Sequence, residues 1–150
     1  MVREQFTFCH TLRVRWAEVD MQGIVYNVNY FLYFDIAITE YWRAIGINYP
    51  DGIVKAFGTD LYTVKATAEY HRSAEYDDVL DIHGRTARLG VSSMQFLLEI
   101  WRGDDHLVSG ELIYVNADPA NKKSAPLPEL LREKIIGYER VPPESAQAKP

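Results

Sequence analysis

The sequence is 150 residues long, 47% hydrophobic, 25% charged and 13% aromatic. That length suits about one domain, and that composition excludes intrinsic disorder and low-complexity repeats. The 16 Lys and Arg against 21 Asp and Glu give a net charge of −5, which argues against general nucleic-acid binding because phosphate contacts need a basic surface. One cysteine and four histidines exclude an internal disulfide and a structural zinc site. The N-terminus has no signal-peptide core and no apolar run reaches the roughly 20 residues of a membrane span, so we expect a soluble, cytoplasmic protein.

The first segment of the chain has the period of a strand. Apolar side chains occupy even positions over residues 6–16, namely Phe6, Phe8, Leu12, Val14 and Trp16. Polar side chains lie between them, which predicts a half-buried strand. Residues 17–23 contain Glu18, Asp20, Gln22 and Gly23, all disfavoured in strands, and are predicted to form a loop.

The next segment predicts a long buried helix. Ten of the thirteen residues at 30–42 are apolar or aromatic, so the helix should be covered on nearly all sides. Asn27 or Asn29 is a candidate N-cap, and Gly46 and Pro50 mark the end of the helix.

Four alternating segments follow the helix, at about 62–70, 80–85, 93–100 and 108–114. Short breaks separate them, which favours hairpins and an antiparallel sheet. The expected fold class is α+β, with a long central helix wrapped by an antiparallel sheet of about five strands. A short helix is predicted at 129–136. We expect one domain over residues 1–140 and a disordered tail at 141–150, which is rich in proline.

Two features of this predicted sheet favour self-association. Its second face carries Leu97, Trp101, Leu107, Ile113 and Val115, and an open sheet has two edges whose backbone groups can pair with another chain. We therefore expect a homodimer that assembles further into a homotetramer.

The loop before the helix contains the candidate catalytic residues. Asp20 lies in this loop, and the first amides of the helix follow seven residues later. Helix N-terminal N–H groups have no partner within the helix and carry partial positive charge, so they can stabilise an oxyanion that develops on a carbonyl. A carboxylate facing that carbonyl can attack it or activate a water, and Gly23 allows the backbone to pass close to a ligand. This two-part site needs no metal and no cofactor.

The residues from Asp20 to Tyr30 form the pattern Asp-x-x-Gly-x-Val-Tyr-Asn-x-Asn-Tyr. It resembles the hotdog-fold acyl-CoA thioesterases of the 4-hydroxybenzoyl-CoA thioesterase and YbgC type, and the resemblance extends over about residues 8–115. A second segment at 70–78 is also similar, although Ser73 stands where proline is common in the family.

The resemblance implies hydrolysis of an acyl-CoA to a free acid and CoA, in a site at a dimer interface. It assigns the catalytic carboxylate to Asp20 and polarisation of the thioester carbonyl to the backbone N–H of Asn27. The YbgC group often has histidine where this chain has Asn27, which leaves only the backbone role for that position.

Five further residues are candidates for substrate binding, each with a structural interpretation beside it. Gly23, Tyr26 and Tyr30 are candidates for the pocket, and the two tyrosines serve equally well as core. Asn29 is a candidate ligand or a helix cap. Ser93 follows the turn at Gly90 and is expected to approach the site from a neighbouring subunit, or to be an ordinary serine on the face of a strand.

Several alternatives remain open from the sequence. Asp20 can act as nucleophile, through a mixed anhydride, or as general base. The acyl carrier can be an acyl carrier protein in place of CoA, and a non-catalytic acyl-binding or lipid-binding protein of the same fold is a further alternative. A hydratase or dehydratase is disfavoured because no histidine lies between His10 and His71, near the residues that would move protons.

Overall fold

A computed structural model describes residues 3–145 of the chain. It contains an antiparallel sheet packed against one long helix, and this confirms the predicted α+β hotdog architecture. The long strands are β1 (Phe8–Arg13), β2 (Asp60–Tyr70), β3 (Val79–Leu89), β4 (Ser93–Arg102) and β5 (Asp105–Ala117), with a two-residue strand β6 (Glu144–Ser145). The helices are α1 (Asn29–Ala44), the single turn α2 (Val54–Phe57) and α3 (Glu129–Tyr138), and short 3-10 turns lie at Arg3–Gln5 and Trp16–Glu18.

The five long strands are ordered β1-β3-β4-β5-β2, so β1 and β2 form the edges of the sheet. Strand β6 adds a sixth member by pairing in parallel with Arg88 and Leu89 of β3. Residues 141–145, which the sequence predicts to be part of a disordered tail, therefore include this short strand. Strand β1 pairs with β3 only as far as Gly84, and the backbone groups of β3 beyond that point are available to another segment. The rest of the predicted tail, 146–150, lies outside the described residues.

Helix α1 lies across one face of the sheet. Seven of its side chains are buried: Tyr30, Tyr33, Phe34, Ala37, Ile38, Tyr41 and Trp42. The sheet presents even-numbered residues to the helix, as in the cross-strand row of Ile82, Ile100 and Val108. A Cβ at Gly110 would collide with the ring of Phe34, so this glycine lets the helix approach the sheet closely.

Three irregularities interrupt the alternation of the strands. One of them, at Ile100 and Trp101 of β4, leaves Leu107 of β5 as an extra residue without a cross-strand partner. Leu107 is fully buried, so its predicted position on the outer face is wrong. An extra residue in a strand shifts the inside-outside phase by one, which a period of two cannot anticipate.

The cover of the helix, predicted to be on nearly all sides, has gaps in the single chain. Leu32 of α1 and Val28, which directly precedes the helix, are 44% and 52% exposed. The inner residues Ala66 and Tyr70 of β2 are also exposed. One chain therefore leaves an apolar surface open along α1 and β2. No helix within residues 3–145 is long and apolar enough to cross a membrane.

Candidate active site

A small hairpin between β1 and α1 positions Asp20. The hairpin is closed by the bridge between Val19 and Val25 and by the N–H of Asp20, which donates to the C=O of Ile24 at 2.9 Å. At its tip the N–H of Gly23 donates to the C=O of Asp20 at 3.0 Å. Gly23 has a φ of +80°, a conformation that side chains with a Cβ adopt only at a cost, which explains a glycine at this position.

The carboxylate of Asp20 has one occupied and one available oxygen. Oδ1 accepts the N–H of Gln22 at 2.8 Å and so stabilises the turn, as short acidic side chains commonly do. Oδ2 has no hydrogen-bond partner among residues 3–145. Because a carboxylate oxygen without a partner retains its lone pairs, Asp20 can act on a ligand without breaking the turn.

Asp20 is half-buried and lines an open pocket of about 640 Å³. The other lining residues are Trp16, Val19, Met21, Gly23 and Tyr76. The rings of Trp16 and Tyr76 meet edge to face with centroids 5.2 Å apart. The lining is mostly apolar, and in the single chain Trp16 is 74% exposed and Met21 is fully exposed. Exposed apolar side chains of this size are unfavourable in water unless a ligand or a partner covers them.

The start of α1 supplies unpaired backbone donors. The C=O of Tyr26 accepts the N–H of Asn29 at 2.8 Å, which makes a turn with Asn27 and Val28 at its centre. The N–H groups of Asn27 and Val28 have no hydrogen-bond partner in the described part of the chain. They precede a 16-residue helix, whose dipole adds partial positive charge at this end. These donors are suited to bind a carbonyl oxygen that becomes negative.

The prediction that an asparagine side chain caps α1 is wrong. Val28 occupies the cap position, and no side chain bonds there. The side-chain amide of Asn29 instead donates to the C=O of Glu18 at 2.9 Å, so it joins the helix start to the hairpin and one of its two N–H donors is occupied. The same C=O accepts the N–H of Tyr26 at 2.9 Å.

Glu18, two residues before Asp20, is interpreted from the sequence as a solvated loop residue or a hydrogen-bond partner, and the structure shows the second. Its side chain is buried and accepts hydrogen bonds from the N–H of Arg15 at 2.8 Å and the hydroxyl of Tyr33 at 3.0 Å. Burial raises the pKa of Glu18, but these bonds and the guanidinium of Arg15 outweigh it, so the pKa is lowered overall. The spacing Arg15-x-x-Glu18, with a partner three residues away, was the available signal.

Of the predicted site residues, Asp20 and Gly23 line this pocket in the single chain, and the other five do not: Tyr26, Asn27, Asn29, Tyr30 and Ser93. Tyr30 is 2% exposed, and its hydroxyl accepts the N–H of Ala74 at 3.0 Å, which favours its interpretation as a core residue; its contact with substrate stays a prediction. Ser93 begins β4, whereas the other end of that strand, Arg102, bonds Asp78 on the side of the hairpin. Ser93 therefore lies about 30 Å along the strand from that end, and its role remains a prediction about a neighbouring subunit. Tyr26 is 48% exposed beside the turn at the helix start.

Within residues 3–145, no group of three or more His, Cys, Asp or Glu side chains is placed to hold a metal ion.

Comparisons with known proteins identify the family of this chain. The family model of the thioesterase superfamily matches residues 22–109, more than half of the chain, beginning two residues after Asp20. A protein from Aquifex aeolicus (strain VF5) with a provisional esterase name is 32% identical over 97 residues, covering 65% of this chain and 74% of the relative. The acyl-CoA thioester hydrolase YbgC of Escherichia coli O6:H1 is 27% identical over 119 residues, covering 79% of this chain and 87% of that protein.

Solved structures show the same fold. The crystal structure of a 1,4-dihydroxy-2-naphthoyl-CoA thioesterase from Synechocystis superposes with a TM-score of 0.79 at 19% identity, covering 85% of this chain and 94% of that one. At that identity the likeness concerns the fold alone. The family match, the relatives and the architecture together establish that this chain belongs to the thioesterase superfamily and is a thioester hydrolase of the YbgC-like hotdog type.

Proposed function

We propose that the protein is an acyl-CoA thioesterase that hydrolyses its substrate to a free acid and CoA. The observation that carries this proposal is the available Oδ2 of Asp20 at an open pocket. The unpaired N–H groups of Asn27 and Val28, in the turn that leads from the Asp20 hairpin into α1, support it. The relative named as an acyl-CoA thioester hydrolase supports CoA as the carrier.

In the proposed mechanism the thioester carbonyl oxygen accepts hydrogen bonds from the N–H groups of Asn27 and Val28. Negative charge builds on that oxygen when the carbonyl carbon becomes tetrahedral, so the amides and the dipole of α1 stabilise the transition state more than the ground state. One such donor typically contributes about 3–4 kcal/mol.

Asp20 supplies the other half of the reaction in one of two ways. As nucleophile, Oδ2 bonds to the carbonyl carbon, the carbon–sulfur bond breaks with release of CoA thiolate, and water then hydrolyses the mixed anhydride. As general base, Oδ2 takes a proton from a water whose oxygen attacks the carbon directly. A single turnover in ¹⁸O-labelled water that leaves the label in the carboxylate and unlabelled oxygen from Asp20 in the acid would establish the nucleophilic route, with water attacking the Asp20 carbonyl of the anhydride. Trapping the mixed anhydride with hydroxylamine would establish it when water attacks the acyl carbonyl instead.

We also propose that a homodimer completes the pocket and that the dimer assembles into a homotetramer. The exposed Trp16, Met21 and Tyr76 at the pocket, and the open surface along α1 and β2, support a second copy in this position. The free edge of β2 offers backbone groups for pairing.

The direct test is a hydrolysis screen over short, long, branched and aryl acyl-CoAs, with acyl carrier protein thioesters in parallel. We expect Asp20→Asn to lower kcat by about 10²- to 10⁴-fold. This variant keeps an Oδ1 that can accept the N–H of Gln22, so the turn and the fold should persist. Asp51→Asn is the matched control, since Asp51 is an exposed aspartate in another loop, paired with Lys55. Hydrolysis by Asp20→Asn at the wild-type rate would contradict the assignment.

A further inference from the structure

The hydroxyl of Tyr70 contacts the turn that begins α1. It donates to the C=O of Asn27 at 3.1 Å, although the two residues are 43 positions apart in the chain. Tyr70 is the last residue of β2, and its ring lies against that of buried Tyr30 with centroids 5.5 Å apart. The hydroxyl is therefore held in place by a strand and by the core of the protein.

This bond acts on the central peptide of the turn. The C=O of Asn27 and the N–H of Val28 belong to one peptide unit, and in a trans peptide they point in opposite directions. Fixing the C=O toward Tyr70 therefore fixes the N–H of Val28 away from it. The other bond to this carbonyl, from the N–H of Tyr30, is long at 3.4 Å, so Tyr70 provides the shorter of the two restraints.

Turns can interconvert by rotating their central peptide, which would turn the N–H of Val28 around. The rotated form needs a positive φ at Val28, which a β-branched residue resists, and Val28 has a φ of −64°. The bond from Tyr70 exists only in the unrotated form, so it adds to the same preference. A hydrogen bond to a peptide C=O also polarises the peptide and strengthens the bond that its N–H donates.

We infer that Tyr70 is a positioning residue for thioester hydrolysis, and that its hydroxyl orients and polarises the Asn27–Val28 peptide whose N–H binds the thioester carbonyl. This inference rests on the proposed function. Tyr70 itself does not touch the reacting atoms, and its effect should appear in the chemical step more than in substrate binding.

The test compares Tyr70→Phe with Tyr49→Phe. The two tyrosines are matched, because they are 49% and 41% exposed and each donates one hydrogen bond, Tyr49 to Asp60 at 2.9 Å near the far end of α1. For an acyl-CoA that the wild type hydrolyses, we expect Tyr70→Phe to lower kcat by about 2- to 10-fold, the range that one neutral hydrogen bond supports. KM should stay nearly constant, and Tyr49→Phe should match the wild type.

A spectroscopic readout separates positioning from a general structural effect. A ketone analogue of acyl-CoA, with a methylene in place of the sulfur and ¹³C at the carbonyl, reports polarisation through its carbonyl stretching frequency. We expect a higher frequency when it is bound to Tyr70→Phe than to the wild type or Tyr49→Phe. Replacing Tyr70 by 3-fluorotyrosine, a stronger donor of similar size, should lower the frequency below the wild-type value.

Three outcomes would overturn the inference. The first is an unchanged kcat for Tyr70→Phe, and the second is a lower kcat with an unchanged carbonyl frequency, which would indicate a structural role only. The third outcome applies if Tyr70→Phe fails to fold: it is a carbonyl stretching frequency that does not change when 3-fluorotyrosine replaces Tyr70. The proposed function fails separately, and this inference with it, if the wild type hydrolyses no acyl-CoA at all.

Discussion

Replacing Tyr33 by phenylalanine removes one buried hydroxyl that joins α1 to the hairpin of Asp20. The side chain of Tyr33 is fully buried, and its hydroxyl donates to Oε1 of Glu18 at 3.0 Å. A hydrogen bond to an ionised acceptor contributes about 1.5–3 kcal/mol. For a domain of this size each kcal/mol corresponds to about 2–4 °C in Tm, so Tyr33→Phe should lower Tm by about 3–12 °C.

The same contact predicts a pH dependence. Because the pKa of Glu18 is lowered in the folded protein, its contribution to stability is present above the unfolded value of about 4.3 and is lost as the pH falls through the lowered folded value. Glu18→Gln should therefore flatten the dependence of the free energy of unfolding on pH below about 4.3.

The measurement is urea denaturation followed by circular dichroism, from acidic to neutral pH. Tyr138→Phe is the control, because Tyr138 is half-buried and its hydroxyl has no hydrogen-bond partner among the described residues. A loss below about 0.5 kcal/mol for Tyr33→Phe, the usual size of a neutral surface substitution, would refute the reasoning that Glu18 holds the hairpin through this bond.

Three further predictions concern the fold and the site. Gly84→Ala should lower the free energy of unfolding, measured in urea, by about 1–3 kcal/mol, because its Cβ would lie 2.7 Å from the ring of Phe96. Gly137→Ala, in helix α3, should raise it by about 0.5–1 kcal/mol, because no atom lies within 4 Å of the added Cβ. Equal effects of the two substitutions would contradict the packing described. Burial raises the pKa of Glu139 above its ordinary value, so its contribution to stability is largest at low pH and is lost as the pH rises through the folded pKa. The urea concentration at the midpoint of unfolding should therefore fall less steeply with rising pH in Glu139→Gln than in the wild type. An unchanged slope would contradict this prediction. Gly23→Ala should lower the free energy of unfolding by about 1–2 kcal/mol, because residue 23 has a φ of +80°. The same variant should have a lower kcat in the hydrolysis assay. Wild-type values for both quantities would contradict the need for glycine in this turn.

The periodicity of the sequence was sufficient to predict the main elements. The apolar run at 30–42 lies within α1, which extends it by one residue at the start and two at the end. The alternating segments fall within β2 to β5. Local signals fail where tertiary contacts decide, as with Leu107, whose burial depends on an irregular pairing with β4, and with β6, which pairs beyond the end of β1.

The candidate site was predictable only in part. Asp20 and the amide of Asn27 were predicted as site residues from the motif, and they lie on a hairpin and on the turn that follows it. The hydrogen bonds of Asn29 and Tyr30 were not predictable, because their partners, Glu18 and Ala74, are fixed by the packing of the hairpin. The role proposed for Tyr70 depends on a contact across 43 residues, for which a single sequence gives no signal.

A crystal structure of the protein with the ketone analogue of an acyl-CoA would test the central claim most directly. The predicted result is a ketone oxygen within about 3.1 Å of the backbone nitrogen of Asn27 or Val28. The carbonyl carbon should lie about 3–3.5 Å from Oδ2 of Asp20, or from a water bound to it. A bound analogue whose carbonyl contacts neither the turn nor the carboxylate, in the single chain or across a dimer, would contradict the claim.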